Sequence, residues 1–377
     1  MVHGAFDEGR RAARWCIDRG FGTVAVLGAG AAGIGAARDL ATAGISTTVF
    51  EARDRIGGRA WSVSLPAPCA ERSSAIAMEL GANWLQQGER NSLAPVARDI
   101  GCTLVPTDFH RPLELGWPAA AGSDTTAAVM ARLHAMVESA TEADDRPLSE
   151  IVDSFLSDPF PFGPETVQRV VDSEVFLDTG APLTELSARL GFEAGVGAGD
   201  RWIVGGYRAV LDSLASGLDI RLGTPVQSIR HDDTGIELQH AQGRHRADAV
   251  IVTIPVAVLQ EDRPRFEPPL PAPQCSALEL LITGRIEKAA LVFTERWWPR
   301  SADGYLRIAD GPGRISEWLD LTDTLGVPAI TAIFAGEWAA ELWDGHDDAA
   351  VAARVAMVLQ KASQEACSYS ERAPTRS

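Results

Sequence analysis

The chain has 377 residues, 46% of them apolar, which is enough for two domains with cores of their own. Its formal net charge of −17 argues against nucleic acid as a partner, because the phosphate backbone would be repelled. No apolar run approaches the ~20 residues of a membrane span, so no membrane partner is expected. The five cysteines are scattered and the seven histidines do not cluster, which argues against disulfides and a metal site and predicts a cytoplasmic protein.

The first part of the sequence predicts the start of an α/β fold. Residues 1–21 have no uninterrupted apolar core and are predicted to be an N-terminal extension that contains a short polar helix. Thr23–Leu27 is an apolar, β-branched strand, and Ser46–Phe50 is a second one. Between the two strands lies a helical pattern that ends at Gly44.

A glycine-rich turn of the form G-x-G-x-x-G joins the first strand to that helix. Gly28 permits a tight turn, Gly30 lets a pyrophosphate approach the backbone, and Gly33 lets the helix pack closely on the strand. The helix N-terminus offers free N–H groups and the positive end of its dipole to phosphate. Glu51, at the tip of the second strand, is suited to accept hydrogen bonds from ribose hydroxyls. The pattern therefore predicts an adenine dinucleotide, and the acidic residue favours FAD or NAD over NADP.

The residues after Glu51 favour FAD. The run Glu51-Ala52-Arg53-Asp54-Arg55-Ile56-Gly57-Gly58-Arg59 resembles the E-x-R-x-R-x-G-G-R signature of the FAD-dependent amine oxidase superfamily. Arg53 and Arg59 are suited to neutralise the diphosphate; the alternative for both is surface ion pairing with Asp54 or Glu51. The resemblance implies an α/β fold: a Rossmann-like FAD-binding domain of the GR2 type, with an interleaved α+β substrate domain and non-covalent FAD. The residues that it assigns to the cofactor are Gly28, Gly30, Ala31, Ala32, Gly33, Glu51, Ala52, Arg53, Gly58, Arg59, Gly81, Ala82, Asn83, Trp84 and Val226.

Both predicted domains are discontinuous. The FAD-binding domain is expected at residues 22–86 and 196–264, the substrate-binding domain at 87–195 and 265–361, and a polar, frayed tail at 362–377. The residues predict helices at 124–140, 148–156 and 349–361 and strands at 220–222, 226–230, 235–239 and 249–253.

Two further segments carry the implied chemistry. The stretch from Lys288 to Phe293, with Trp298 after it, resembles a stretch of amine oxidases in which a lysine holds a water at flavin N5 and a tryptophan lies near the ring. The resemblance thus makes Lys288 the catalytic residue, against the alternative that it extends from a strand edge into solvent. Trp84 stands where L-amino acid oxidases place an arginine, which favours an amine without an α-carboxylate. Trp84 and Trp298 are therefore assigned to the substrate, with core packing as the alternative for both.

The activity that the resemblance implies is the oxidation of a monoamine or polyamine. A neutral amine transfers hydride from its α carbon to flavin N5, the imine is hydrolysed in water, and O2 reoxidises the flavin to give H2O2. The expected partners are accordingly a small-molecule amine and O2.

The resemblance covers residues 22 to about 345, and the usual C-terminal FAD-binding segment is expected to be lacking. A homodimer, or a partner chain that completes the FAD site, is therefore left open. Two alternative functions also stay open. One is a flavin-dependent desaturase or dehydrogenase of a non-amine metabolite; the other is a truncated, non-catalytic or partner-dependent flavoprotein subunit.

Overall fold

The computed structural model describes residues 2–67, 75–107, 112–117, 123–139, 145–158, 161–191 and 199–372. The helices are α1 (Val2–Asp18), α2 (Ala31–Thr42), α3 (Ala94–Asp99), α4 (Ser123–Glu138), α5 (Leu148–Ser157), α6 (Pro164–Val171), α7 (Leu177–Thr179), α8 (Tyr207–Ala215), α9 (Val256–Gln260), α10 (Ala272–Leu280), α11 (Thr322–Leu325), α12 (Gly336–Trp343) and α13 (Asp348–Arg372). A 3-10 turn lies at Gly88–Arg90, and a π-helical turn, Asp172–Phe176, connects α6 to α7.

The strands are β1 (Thr23–Leu27), β2 (Ser46–Phe50), β3 (Ser62–Pro66), β4 (Ala75–Glu79), β5 (Trp84–Leu85), β6 (Leu104–Pro106), β7 (Leu113–Trp117), β8 (Arg201–Ile203), β9 (Asp219–Arg221), β10 (Val226–Asp232), β11 (Gly235–His240), β12 (Gly243–Ala247), β13 (Ala249–Val252), β14 (Arg265–Glu267), β15 (Ile286–Val292), β16 (Tyr305–Asp310), β17 (Ile315–Asp320) and β18 (Ala329–Ala335). The predicted β1 and β2 have the bounds expected from the sequence.

The chain divides into two compact units, each built from three segments. Unit 1 comprises Met1–Val63, Ala77–Pro106 and Gly199–Ile282, and unit 2 comprises Ser64–Ile76, Thr107–Ala198 and Thr283–Ser377. Residues 87–106 lie in unit 1, whereas the sequence analysis begins the substrate domain at residue 87. The reason is packing, because Leu93, Ala94 and Ala97 share one apolar cluster with Tyr207. The assignment of cofactor and substrate to separate domains stays a prediction.

Unit 1 is organised around a parallel sheet with the strand order β13-β1-β2-β9. The register pairs Val26 with Ile251 on one side and with Val49 on the other. Strands β10, β11, β12 and β14 form a second sheet, which packs on the first through Ile229 and Leu238. Because β1 and β2 are neighbouring parallel strands, their carboxyl ends, where the predicted cofactor residues lie, meet at one edge.

The predicted N-terminal extension is an integral helix of unit 1. Helix α1 buries one face, including Phe6, Ala13 and Cys16, at the spacing of an amphipathic helix. A Cβ atom at Gly9 would overlap the carbonyl oxygen of Ala32, so glycine lets α1 approach the first turn of α2 closely. The Arg10 guanidinium also forms an ion pair with Asp39 (Nε–Oδ2 3.0 Å).

Unit 2 contains a five-stranded sheet with the order β15-β18-β17-β16-β7. Helices α12 and α13 pack on one of its faces, where Trp318, Phe334 and Trp338 form the centre of the apolar core. Helices α4, α5 and α6 enclose a second core.

Helix α13 is longer than the sequence predicts. Its buried residues Val351, Val355, Leu359 and Ala362 recur every three or four positions, and the helix continues to Arg372. The prediction of a polar, frayed tail from residue 362 was therefore wrong as far as Arg372, because no proline or glycine interrupts the sequence before Pro374. Residues 373–377 lie outside the described part of the chain.

Candidate functional site

The glycine-rich turn between β1 and α2 forms as the sequence predicts. Gly28 has a φ of 99° and donates its N–H to the carbonyl of Phe50 (2.8 Å). A Cβ atom at Gly33 would overlap the carbonyl oxygen of Gly28, so glycine lets α2 begin directly against the turn. At Gly30, by contrast, no atom lies within 4 Å of the position of a Cβ, and no side chain caps α2 there. The helix N-terminus is therefore open for an anion.

Glu51 is buried and binds the glycine-rich turn directly. Its carboxylate accepts hydrogen bonds from the N–H of Ala29 (2.7 Å) and the N–H of Arg53 (2.9 Å). Its carbonyl accepts from Thr224 N–H (2.8 Å), and the carbonyl of Arg53 accepts from Gly223 N–H (2.8 Å). These backbone bonds hold the chain just before Val226 next to Glu51 and Ala52. Each carboxylate oxygen keeps a lone pair for a further donor.

The second glycine pair packs against the first turn. Gly57 donates its N–H to the carbonyl of Ala29 (2.8 Å), and a Cβ at Gly58 would lie 3.4 Å from Gly30 Cα. Arg53 and Arg59 are exposed, and among the described residues neither guanidinium forms an ion pair with a carboxylate. The surface ion pairs with Asp54 or Glu51 that the sequence left open are thus not formed.

The segment Gly81-Ala82-Asn83-Trp84 attaches to the second glycine pair. Ala82 donates its N–H to the carbonyl of Arg59 (3.0 Å), and a Cβ at Gly81 would overlap that same carbonyl oxygen. The Tyr207 hydroxyl donates to the carbonyl of Trp84 (2.5 Å). The predicted cofactor residues of unit 1 therefore form one connected set, which we call the glycine strip (Gly28–Gly33, Glu51–Arg59 and Gly81–Trp84).

Lys288 lies in unit 2, on β15, and is half-buried. Its neighbour Ala289 belongs to the core on the α13 side of the sheet, so Lys288 is directed to the opposite face. The register places Lys288 beside Ile333, Ile333 beside Glu317, Glu317 beside Arg307, and Arg307 beside Glu114. These five residues form one row across all five strands.

The turn that connects α6 to α7 adds two carboxylates to this row. Arg307 donates from Nη1 to Glu174 (2.8 Å) and from Nη2 to Glu317 (3.1 Å). Asp178 lies one turn after Glu174, and both residues face Glu317 and Arg307. We call this set the charged face (Lys288, Glu317, Arg307 and Glu114 on the sheet, with Glu174 and Asp178). At its far end Glu114 forms a buried ion pair with Arg169 (2.8 Å).

The charged face shifts several pKa values. Desolvation and the charges of Glu317 and Glu174 raise the pKa of Asp178 to about 7, and Arg307 opposes this shift. Burial lowers the pKa of Arg307, but Tyr305, Glu317 and Glu174 outweigh burial and hold it above the usual value. Arg307 is therefore charged at every pH at which the protein folds. These carboxylates cannot be recognised as one set from the sequence, because they are far apart in the chain.

Trp298 is not on the charged face. It is 3% exposed and packs in the core with Ala289 and Leu291, with its ring 5.3 Å from that of Phe293. The structure therefore does not bring Trp298 and Lys288 together, and the position of Trp298 favours the packing alternative.

The family model of flavin-containing amine oxidoreductases matches residues 31–376. The chain belongs to this family. The match continues past residue 345, where the sequence analysis expected the resemblance to stop. Because the family contains flavin, the predicted FAD cofactor is confirmed at the level of the family.

Several proteins resemble this chain in sequence. Lysine-specific histone demethylase 1B of Mus musculus is 32% identical over 305 residues, which are 75% of this chain and 36% of that protein. Polyamine oxidase 4 of Oryza sativa subsp. japonica is 28% identical over 356 residues, which are 87% of this chain and 70% of that protein. The chain thus spans about a third (36%) of the length of the demethylase.

Solved structures share the fold of this chain. Putrescine oxidase bound to putrescine superposes with a TM-score of 0.68 at 20% identity, covering 91% of this chain and 82% of that one. Cyclohexylamine oxidase from Brevibacterium oxydans IH-35A gives a TM-score of 0.69 at 22% identity, covering 91% and 81%. The predicted fold class, a Rossmann-like domain with an interleaved α+β domain, is confirmed.

Within the described ranges no helix combines the length and apolarity that a membrane span requires. In that same part of the chain, histidines, cysteines and carboxylates do not gather into a group that could hold a metal ion.

Proposed function

We propose that this chain binds FAD non-covalently along the glycine strip and oxidises an amine. The observation that carries this proposal is the connection of the strip by backbone hydrogen bonds. Gly57 binds Ala29, Glu51 binds Ala29, and Ala82 binds Arg59, so segments distant in the sequence form one surface. The N-terminus of α2, which no side chain caps, lies within this surface and suits a diphosphate.

The residues present fit FAD. The space at Gly30 admits a pyrophosphate against the backbone, which a side chain would block. Arg53 and Arg59 supply exposed positive charge for the diphosphate, and the remaining lone pairs of Glu51 suit ribose hydroxyls. Val226, next to the Glu51 segment, supplies an apolar contact for adenine. Trp84 is proposed to lie beside the substrate.

Bound FAD supplies the hydride acceptor for amine oxidation and passes its electrons to O2. Lys288 is the proposed catalytic residue, and its ammonium group holds a water molecule at the reacting centre. The imine product is hydrolysed by water to a carbonyl compound and the released amine, while O2 is reduced to H2O2.

The test is the visible absorption spectrum of the purified chain before and after anaerobic addition of a panel of amines. We expect a flavin spectrum that bleaches with at least one amine and recovers in air with release of H2O2. A flavin that no amine reduces would favour a dehydrogenase of another metabolite. A colourless protein that FAD cannot restore would favour a partner-dependent subunit.

Lys288→Met tests the catalytic residue. We expect slower flavin reduction or reoxidation with unchanged FAD content, because Lys288 belongs to unit 2 whereas every residue of the glycine strip belongs to unit 1. The matched control is Lys361→Met, since the chain's other lysine is exposed and pairs with Asp310 (2.6 Å). Equal rates of flavin reduction and reoxidation in the two variants would show that Lys288 has no catalytic role.

A further inference from the structure

His3 is buried near the start of α1, on the face of the helix that packs against the rest of unit 1. The side chain is 8% exposed, although its ring has two nitrogens that need partners. Nδ1 lies 3.1 Å from Nδ2 of Asn91, which is 1% exposed and caps the end of the 3-10 turn after the glycine strip. This contact fastens the beginning of α1 to the segment that follows Trp84.

Backbone groups fix the orientation of the Asn91 amide. Its Oδ1 accepts a hydrogen bond from Leu93 N–H (3.0 Å), and its Nδ2 donates to the carbonyl of Gln86 (2.8 Å). The end of the amide that faces His3 is therefore the NH2 group, which can only donate. Nδ1 of His3 must accept, and the ring proton must lie on Nε2. The imidazole fits this site only in its neutral form, because a proton on Nδ1 would oppose the N–H of Asn91.

The surroundings of His3 also disfavour the protonated ring. Burial lowers the pKa of His3 below the ordinary value of 6.5, and the charge of the amino terminus acts in the same direction. Three groups oppose this shift: the carboxylate of Asp7 on α1, a hydrogen bond with the Gln87 side chain, and the carboxylate of Asp200 before β8. Because the pKa is lower in the folded protein than in a released helix, protonation favours release. The contact should therefore weaken as the pH falls below about 6.5.

Helix α1 supports the first turn of α2, where the diphosphate is proposed to bind. A Cβ atom at Gly35 would overlap the carbonyl oxygen of Phe6, just as one at Gly9 would overlap that of Ala32. The backbones of the two helices are thus in contact at two positions. The Phe6 side chain also shares an apolar cluster with Ala31, the first residue of α2. Release of α1 would remove this packing from the first turn of α2.

We propose that His3 is a pH-sensitive positioning residue of the cofactor site. In its neutral form His3 holds α1, through Asn91, against α2 and the segment after Trp84, and its protonation releases the helix. The first turn of α2 is therefore supported at neutral pH and loses that support in acid. The effect on FAD rests on the function proposed above, whereas the release of α1 does not.

The test is hydrogen–deuterium exchange of the α1 amides in the full chain, measured by mass spectrometry between pH 5 and 8 and corrected for the intrinsic exchange rate. We expect the opening equilibrium of α1 to be about two- to tenfold larger at pH 5 than at pH 7.5, the range for one hydrogen bond. His3→Gln should remove this pH dependence, since the glutamine carbonyl oxygen accepts from Asn91 and does not titrate. His231→Gln is the matched control, because His231 is exposed on β10 in the same unit. This control should keep the pH dependence of the wild type.

Asn91→Asp should reverse the direction of the pH dependence. The carboxylate that replaces the NH2 group accepts hydrogen bonds and favours the protonated imidazole of His3. We expect α1 to open less at pH 5 than at pH 7.5 in this variant. An opening equilibrium with the same pH dependence in the wild type, His3→Gln and Asn91→Asp would overturn the inference and leave the proposed function intact.

FAD affinity gives a second measurement, by quenching of flavin fluorescence at pH 5.5 and pH 7.5. We expect the wild type to bind FAD about two- to tenfold more weakly at pH 5.5, and His3→Gln to lose less affinity. An equal loss of affinity in both proteins would overturn the positioning role of His3. A release of α1 that depends on His3, without FAD binding at any pH, would keep the release and overturn the proposed function.

Discussion

The glycine strip of unit 1 and the charged face of unit 2 are built in opposite ways. The strip consists of backbone amides and carbonyls, brought together by glycines at which a side chain would collide with the neighbouring segment. The charged face consists of ionised side chains from four strands and one helical segment, aligned by sheet register. The strip is thus defined mainly by the shape of its backbone, whereas the charged face depends on the balance of its side-chain charges. Substitutions in the two regions should therefore have different effects on stability, FAD affinity and pH dependence.

Arg307→Met should have the largest effect. It leaves Glu174 and Glu317 without their shared cation, and removal of one partner from a buried ion pair costs about 3–5 kcal/mol. We expect that loss in the free energy of unfolding in urea. Arg314→Met is the control, since Arg314 pairs with Glu341 at the surface and should cost less than about 1 kcal/mol. Equal losses of unfolding free energy in the two variants would mean that the ion pairs of the charged face stabilise the protein no more than surface ion pairs do.

Substitutions at two glycines should distinguish an effect on folding from an effect on FAD binding. Gly33→Ala forces a methyl group into the carbonyl of Gly28 and should cost about 1–3 kcal/mol of stability. Gly30→Ala meets no protein atom and should leave the unfolding of the FAD-free protein unchanged. It should nevertheless weaken FAD about tenfold or more, measured by quenching of flavin fluorescence, since the methyl group occupies the pyrophosphate position. An unchanged FAD affinity would contradict the proposed site.

The charged face should contribute to the pH dependence of stability through Asp178. The pKa of Asp178 is about 7 in the folded protein against 3.8 for the ordinary carboxyl, so folding favours its protonated form. The contribution of Asp178 to stability should therefore be lost as pH rises from about 4 to 7, because desolvation and the charges of Glu317 and Glu174 disfavour the ionised carboxylate more than Arg307 favours it. Asp178→Asn should raise Tm at pH 8 and change it little at pH 5. If Asp178→Asn changed Tm by the same amount at pH 5 and pH 8, the ionisation of Asp178 would not be the cause of the pH dependence.

The arginines of the glycine strip should have the smallest effect. Arg53→Gln and Arg59→Gln each remove an exposed charge and should weaken FAD by about two- to fivefold, less at high salt. Arg14→Gln, an exposed arginine on α1, should leave FAD affinity unchanged. A loss independent of salt would indicate a packing role for Arg53 or Arg59.

The sequence predicts the glycine strip well because its elements are close together in the chain. Strands β1 and β2 and the turn at Gly28–Gly33 follow from apolar periodicity and glycine spacing, and Glu51 follows from its position after β2. The contact between Glu51 and Ala29 N–H is a consequence of the parallel register, which places the two strand ends side by side.

The charged face could not be predicted from the sequence, because only the pairing register of the strands brings its residues together. Glu174, Arg307 and Glu317 come from different parts of the sequence, and each resembles an isolated charge there. One signal was present: Arg307 and Glu317 interrupt the otherwise apolar or small runs of β16 and β17, where a buried charge requires a partner. The sequence also does not show on which side of the sheet Trp298 packs, because a loop separates this residue from β15.

The pairing of β7 with β16 has a consequence for synthesis. Strand β7 (Leu113–Trp117) leaves the ribosome long before β16 (Tyr305–Asp310), its parallel neighbour and the one strand between it and the rest of the sheet. At 5–20 residues per second the gap of roughly 190 residues lasts about 10–40 s. During that time the nascent chain exposes an unpaired strand edge, the kind of surface on which aggregation begins. Production of this protein in cells should therefore depend on chaperones and on the speed of translation more than its final stability would suggest.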